Sequence, residues 1–123
     1  MPSDSQSPGA LLATTHDAAG LRVRLRLARP SDALQVRTFL EWHAPHLAGE
    51  ARRFTFYDPR ERLVVAATAP IDGSERIVGL ADMSSVSDER PLVIVDDRTP
   101  SGAVKRLLVR VSWGLAERAR RAA

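Results

Sequence analysis

The stretch "VIVDDRTPSGAVKRLL", Val93 to Leu108, decides the predicted fold. An apolar run ends in two acids, a Pro-Ser-Gly segment follows, and apolar residues at helical spacing come next. This pattern predicts a strand that passes through a tight turn into a helix. Because the first turn of a helix has amide groups without partners and a dipole that favours anions, a phosphate could bind there. A plain turn between strand and helix explains the same residues without a ligand, so the sequence leaves both interpretations open.

Length and composition describe an ordinary globular domain. The chain has 123 residues, of which 44% are apolar and 27% charged, which suits one domain with one core. It has no cysteine, which excludes disulfides, thiolate metal ligands and a cysteine nucleophile. No apolar run reaches the ~18 residues of a membrane helix, and the N-terminus lacks the basic region of a signal peptide. We therefore predict a cytoplasmic protein without membrane association.

The charge is basic but modest. The formal net charge is +3 at pH 7, and arginine carries almost all of the positive charge because Lys105 is the only lysine. Acids are scattered along the whole chain, so a solvated arginine-rich surface is favoured over nucleic-acid binding. A small basic nucleic-acid-binding protein, using the arginines of residues 21–27 and of the last helix, stays an alternative.

Two patterns mark the beginning of the folded part. Residues 1–20 are rich in Ser, Pro, Ala and Gly without a period, which predicts a disordered tail followed by one domain over 21–123. "LRVRLRL" (21–27) alternates apolar residues with arginine, as expected for a strand with one buried and one solvent-exposed face. In "RPSDALQVRTFLEW" (29–42), a proline and capping residues precede apolar residues at helical spacing, which predicts the first helix.

The rest of the chain predicts a hairpin, one further strand and a long helix. A short helix is expected around Leu47–Phe54, and two apolar runs, Leu63–Ala69 and Arg76–Met83, flank the turn "PIDGSE". "LVVAATA" lacks alternation, which predicts a strand buried on both faces. The strand "PLVIVDD" and a helix with apolar residues on one face close the sequence. This order predicts an α+β fold in which helices flank a mainly antiparallel mixed sheet.

Four features occur in a characteristic order along the chain. They are the junction Arg29-Pro30-Ser31-Asp32, the segment Ile77-Val78-Gly79, the loop quoted above and the double leucine Leu107-Leu108. In this order they resemble the GCN5-related N-acetyltransferase (GNAT) superfamily. "EARRFTFYDPRER" (50–62) is also similar to a segment of its bacterial protein-lysine acetyltransferase-like members. The resemblance spans Leu21–Ala123 and implies a GNAT-like fold that lacks the family's C-terminal part.

The resemblance also implies a chemistry. It implies acetyl-CoA as co-substrate, no metal, and an amine acceptor on a small molecule or on a protein lysine or N-terminus. Glu89 falls where many members have a glutamate before the fourth strand, which implies a general base, with a solvated linker residue as the alternative. Asp82 is a lesser candidate for this base. Counting back from the double leucine places Gly102 at the first glycine of the family's pyrophosphate loop. The implied cofactor-binding residues are Leu92, Val93, Ile94, Val95, Arg98, Thr99, Ser101, Gly102, Ala103 and Val104.

Several residues depart from the family's pattern. Thr99 replaces the usual Gln or Arg, Pro100 has no amide hydrogen to donate, and Val104 stands where a small residue is usual. The sequence ends after the cofactor helix, so the family's later tyrosine has no counterpart, and Tyr57 comes too early to replace it. We expect a second chain, most simply in a homodimer, to cover the exposed sheet edge, with a truncated gene product as the alternative.

Two functional hypotheses follow from the resemblance. The first is acetyl transfer from acetyl-CoA to an amine by direct attack. The second is a non-catalytic relative that binds CoA or a partner chain without turnover, and the departures in the loop favour it.

Histidines and tryptophans suggest no further chemistry. His43 and His46 lie three residues apart, but no third residue has a spacing suited to a metal site. Trp42 and Trp113 are expected to be buried in the core or at an interface, because large aromatic side chains dominate such regions.

Overall fold

The protein is built on a five-stranded antiparallel sheet. The computed structural model describes residues 12, 14–87 and 89–122. The strands follow one another across the sheet in chain order, β1-β2-β3-β4-β5, and every pairing is antiparallel. Helices cover both faces, so the predicted α+β fold is confirmed. The strands are β1 (Thr15–Ala18), β2 (Leu21–Leu27), β3 (Arg62–Ile71), β4 (Ser74–Ser84) and β5 (Leu92–Val95).

Two α-helices and two stretches of 3₁₀ helix accompany the sheet within residues 14–87 and 89–122. The 3₁₀ helix Pro30–Asp32 leads directly into helix α1 (Ala33–His43). The short helix expected around residues 47–54 is a second 3₁₀ stretch, Pro45–Phe54, which is kinked at Glu50. Helix α2 spans Ser101–Ala122 and follows β5 through a short loop. None of the helices in the described part of the chain combines the length and apolar character that crossing a bilayer requires.

The sheet separates two apolar cores. Val23 and Leu25 of β2 face the core beneath α2, while Phe39 and Leu40 of α1 belong to the core on the opposite face. Strand β3 contributes to both, since its alternate residues divide between the two cores and Leu63–Ala69 are all buried. The uninterrupted apolar run of β3 therefore has the predicted cause, which is cover on both faces.

The first strand was not expected from the sequence. Thr15–Ala18 pair with β2 through a turn at Ala19 and Gly20, both of which have positive φ, 54° and 95°. The predicted disordered tail of residues 1–20 is therefore wrong for this segment, and residues 1–11 and 13 lie outside the described residues. Only Ala18 in this strand is buried, so its four residues carry no apolar alternation that could have indicated it.

Strand β4 carries a glycine where helix α2 packs against it. A Cβ atom placed on Gly79 would lie 2.6 Å from Leu108 Cδ1 and 3.3 Å from Val104 Cγ1. It would also lie 3.4 Å from the carbonyl oxygen of Ile94 in β5. Val104 and Leu108 are completely buried, so neither side chain has space to move away. The first turns of α2 therefore rest on the backbone of β4, and this contact sets where the helix begins relative to β5.

We predict that Gly79→Ala destabilises the protein by about 1–3 kcal/mol, because the new methyl group overfills a packed contact. Gly49→Ala is the matched control, since a Cβ at Gly49 meets no atom within 4 Å. Denaturant unfolding of the three proteins measures the difference. Equal midpoints for Gly79→Ala and Gly49→Ala would show that α2 can shift without cost.

Candidate functional site

The loop between β5 and α2 is organised by one buried carboxylate. Asp96 is 6% exposed, and its Oδ1 accepts the Arg98 amide N–H at 2.9 Å and the Arg98 Nε–H at 3.0 Å. Its Oδ2 accepts a bond from Arg98 Nη2 at 2.9 Å. The carbonyl of Asp96 accepts the amide and the hydroxyl of Thr99, at 3.1 and 2.5 Å. These bonds fix the tight turn that the sequence predicted.

The same carboxylate joins the loop to helix α1. His43 Nε2 lies 3.6 Å from Asp96 Oδ2, and the two side chains are 10% and 9% exposed. The hydrogen bonds from Arg98 hold the pKa of Asp96 below its usual value, and a protonated His43 would act in the same direction. Since His43 is the last residue of α1, the loop is tied both to itself and to the helix on the opposite face of the sheet.

Helix α2 begins with unpaired amide groups. Its first backbone bond runs from the Val104 amide to the Pro100 carbonyl at 3.1 Å. The amides of Ser101, Gly102 and Ala103 precede this bond and have no hydrogen-bond partner among the described residues. Gly102 leaves the approach open, since the nearest atom to an added Cβ would be the end of the Arg106 side chain, at 3.5 Å. These three predicted residues together form a place where an anion can meet backbone donors.

Three of the predicted loop residues are engaged elsewhere. The Val104 side chain is completely buried against Gly79, and its amide donates to the Pro100 carbonyl. Val104 therefore contributes to packing, and the predicted cofactor contact there stays a prediction. The Thr99 hydroxyl and the Arg98 guanidinium are both donated to Asp96, although the Arg98 side chain remains 72% exposed.

Strand β5 has one free edge in the described part of the chain. Leu92–Val95 pair with β4 between Leu92↔Asp82 and Val95↔Gly79, and no described strand lies on the other side. Ile94 faces the α1 core, whereas Val93 and Val95 pack towards the α2 core. The outer backbone groups of this predicted segment are therefore available for hydrogen bonding.

The two candidate carboxylates meet at the opposite end of β5. Asp82 is 4% exposed, and its Oδ1 accepts a bond from Arg62 Nε at 2.7 Å. Arg53 Nη2 lies 3.7 Å from Asp82 Oδ2, so both carboxylate oxygens face guanidinium groups. The same Arg62 places Nη2 3.6 Å from Glu89 Oε1, and the Glu89 side chain is 56% exposed. Of the two acids, only Glu89 is accessible to a reacting molecule.

A cavity lies on the α1 side of the loop and was not expected from the sequence. Its volume is about 650 Å³, and it lies between α1, the turn joining β3 to β4 and the segment Asp96–Thr99. Trp42 lines it and is 75% exposed, while Trp113 on α2 is 37% exposed. Neither tryptophan lies in the core, so that part of the expectation is wrong, and their burial at an interface stays a prediction. Leu34 and Trp42, eight residues apart on the side of α1 away from Val36 and Leu40, are the pattern that could have indicated this cavity.

The fold also brings together residues that could bind a cation. Ligand atoms of His43, Asp96 and Asp97 all lie within 4.8 Å of one another. Sequence spacing could not reveal this group of three residues. Its two acids lie in the loop after β5, far along the chain from the pair of histidines that includes His46. A cation here would compete with Arg98, which already binds both oxygens of Asp96. The absence of a metal stays a prediction.

Comparison with known proteins identifies the fold. No family model matches the chain, and its sequence matches no curated protein. The structure is similar to the crystal structure of the GNAT domain of S. lividans PAT, with a TM-score of 0.66 and 20% sequence identity. The similarity covers 87% of this chain and 72% of that domain. The protein therefore has a GNAT-like fold, as the order of its sequence motifs predicted.

We predict that Asp96→Asn destabilises the protein at neutral pH, by about 1–3 kcal/mol, because it leaves Arg98 without its anion. The folded-state pKa of Asp96 is lowered, so its ionised form stabilises the fold above its unfolded pKa of about 3.9. That contribution disappears as the pH falls from there through the lower folded-state pKa. The difference in unfolding free energy between wild type and variant should therefore shrink on acidification.

The matched control is Asp97→Asn, the same change at the exposed neighbouring residue. Chemical denaturation of the three proteins at several pH values gives the comparison. A wild-type minus Asp96→Asn difference that stays constant from neutral to acid pH would show that the charge of Asp96 does not organise the loop.

Proposed function

We propose that this protein binds acetyl-CoA along β5 and transfers the acetyl group to an amine. The observation that carries the proposal is the set of three unpaired amides, Ser101–Ala103, at the end of an edge strand whose outer side is open. The GNAT-like fold supports the same assignment, since it places these features in the order expected of an acetyltransferase.

The residues present suit the phosphate and pantetheine parts of acetyl-CoA. The amides of Ser101, Gly102 and Ala103 would bind the pyrophosphate, and Lys105 and Arg106 add positive charge nearby. The outer backbone groups of Leu92–Val95, which extend over roughly 13 Å, would bond the amides of the pantetheine arm. Acetyl-CoA would supply the thioester, and the protein would supply hydrogen-bond donors along the length of the acetyl-CoA molecule.

The chemistry then requires a base at the other end of β5. Glu89 would take the proton of the acceptor ammonium, directly or through water. The freed amine would attack the thioester carbon, so that the C–N bond forms and the C–S bond breaks. The leaving thiolate would take up the remaining proton of the attacking nitrogen, directly or through water, which gives the amide and the CoA thiol. Outward amides of β5 would stabilise the oxyanion. Asp82 has a different task, since its bonds to Arg62 and Arg53 hold the arginine that contacts Glu89.

A charge placed in the loop tests cofactor binding. We expect wild type to bind acetyl-CoA in the micromolar range and Gly102→Glu to bind roughly tenfold more weakly or not at all, because a carboxylate there repels the pyrophosphate. Calorimetric titration measures both. Gly102→Gln separates charge from bulk, since it has the same size and should weaken binding less.

The fold itself should tolerate these variants. Gly102 lies in open surroundings, and an acid in the first turn of a helix interacts favourably with the helix dipole. Unaltered acetyl-CoA affinity in Gly102→Glu would place the pyrophosphate elsewhere, and no binding by folded wild type would refute the proposal.

Glu89→Gln tests the base. We expect it to slow acetyl transfer by about 10²–10⁴-fold, because an amide cannot accept the proton, while acetyl-CoA affinity stays the same. Thiol release with a panel of small amines and lysine peptides measures the rate. Glu61→Gln, a change at another exposed glutamate, is the control. An unchanged rate in Glu89→Gln would show that Glu89 is a solvated linker residue and not the general base.

A second candidate function is CoA binding without turnover. Specific observations favour it, because the Thr99 hydroxyl is used within the loop, Pro100 has no amide hydrogen and Arg62 holds both Asp82 and Glu89. Acetyl-CoA binding by wild type with no thiol release for any amine would select this alternative. The identity of the acceptor and the cytoplasmic location stay predictions.

A partner chain at the free edge of β5 also remains a proposal. An unpaired strand edge is a template for another strand, and a second copy of this chain is the simplest cover. Sedimentation velocity of the purified chain measures whether it is a dimer.

Nucleic-acid binding has less support. Three arginines alternate along β2. Arg26 donates hydrogen bonds of 2.6 and 2.8 Å to Asp32, and the other two, Arg22 and Arg24, are exposed. Because fewer arginines of β2 are free to contact phosphates, nucleic-acid binding has weaker support.

A further inference from the structure

The cavity beside the loop has the size and surface of a small-molecule site. Its volume of about 650 Å³ lies within the range of ~300–1,000 Å³ typical of ligand pockets. One wall is the outer side of α1, where Leu34, Thr38 and Trp42 follow one another at four-residue spacing. Leu34 and Trp42 are 78% and 75% exposed, more than any other large apolar side chain among the described residues. This wall presents apolar surface that a ligand would cover.

The inner part of the cavity is formed by buried residues of the fold. Phe39, Ile77 and Val78 line it and belong to the two apolar cores, with exposures of 5%, 7% and 1%. His43 and Asp96 close one end and are also largely buried. The cavity therefore has a rigid apolar base, supported by the sheet and by α1.

The charges that remain unpaired lie on the turn between β3 and β4. The side chains of Asp72 and Arg76 make no hydrogen bond or ion pair within the described residues. Glu75 accepts a bond from the Thr68 hydroxyl at 2.7 Å and has no ion pair within 4 Å. Two carboxylates and one guanidinium therefore line this wall, which makes it negative.

The other charges around the cavity are already compensated. Asp96 is bonded to Arg98 through both oxygens and lies beside His43. Arg26, which attracts Glu75 from outside the cavity, has its guanidinium bonded to Asp32. The net charge offered to a ligand is therefore that of Asp72, Glu75 and Arg76.

We propose that this cavity binds an organic ammonium ion, that is, a protonated amine with an aromatic or aliphatic body. The body packs on Phe39 and Ile77, and the ammonium group lies near the carboxylates of Asp72 and Glu75. The exposed indole of Trp42 adds the attraction of an aromatic face for a cation. A carboxylate of the same shape would meet two like charges instead of two opposite ones.

This site is distinct from the proposed acetyl-transfer site. It lies at the C-terminal end of β5, where Asp96 and Thr99 line it, whereas Glu89 precedes the N-terminal end of the strand. The length of the strand, roughly 13 Å, separates the two. The proposal does not rest on acetyl-CoA binding and is tested without that cofactor.

The experiment compares ligands that share a body and differ in charge. Phenethylamine, 2-phenylethanol and 3-phenylpropionate are titrated at low salt, with Trp42 fluorescence as the readout in a Trp113→Phe background. We expect saturable binding of the amine, weaker binding of the alcohol, and binding of the acid at least roughly tenfold weaker than that of the amine. Equal or tighter binding of 3-phenylpropionate, or no saturable response to the amine, overturns the proposal.

Variants of the turn assign the charges. Asp72→Asn with Glu75→Gln should weaken amine binding several-fold, whereas Arg76→Gln, on the same turn, should leave it unchanged or strengthen it. The double variant preserves the turn, because asparagine accepts the positive φ of Asp72, 50°, and glutamine can still accept the bond from Thr68. Amine affinity that is unchanged in the double variant, or that is lost in Arg76→Gln, contradicts the proposed electrostatics.

Calorimetry provides a check that does not depend on fluorescence. Trp42→Ala should lose most of the amine binding heat, and its folding can be verified by unfolding midpoint because the side chain is exposed. Retention of full affinity in Trp42→Ala would place the amine outside this cavity.

Discussion

The position of helix α2 depends on the absence of a side chain at one glycine of strand β4. Because Gly79 has no Cβ, Val104 and Leu108 pack directly on the sheet backbone, at a distance that alanine would already violate. The helix can therefore begin after a loop of only five residues, 96–100, and its free amides follow the edge strand closely in the chain. Any outward shift of α2 would move these amides together with the helix. The proposed phosphate site is thus set by a packing contact on the buried side of the helix.

Asp96 complements this contact from the opposite side. It binds the backbone and guanidinium of Arg98, its carbonyl binds Thr99, and its carboxylate meets His43 at the end of α1. One residue therefore connects β5, the loop and the helix on the other face. Asp96 is part of both the proposed cofactor loop and the cavity wall. A ligand in either site would therefore contact the same turn.

The periodicity of the sequence predicted most elements of the fold, and its limits have physical causes. β2, α1 and α2 were visible because each buries one face, and the unbroken run in β3 indicated burial on both faces. The strand Thr15–Ala18 was missed because its pairing is carried by backbone bonds and only Ala18 is buried. For the candidate site, the order of motifs located the loop but not the burial of Val104, which depends on contact with a distant strand. The link from Asp82 through Arg62 to Glu89 likewise joins separate segments, and no spacing rule reveals it.

The order of strands in the sheet has a kinetic meaning. Every strand pairs with its neighbour in the chain, so most of the sheet can assemble from hairpins and short closures. The exception is the pairing of β2 with β3, which must close a long connection containing α1 and the second 3₁₀ helix. Loop-closure entropy makes this the costliest step of assembly. Because an ordered helix shortens the chain that must be closed, we expect early ordering of α1 to speed this step.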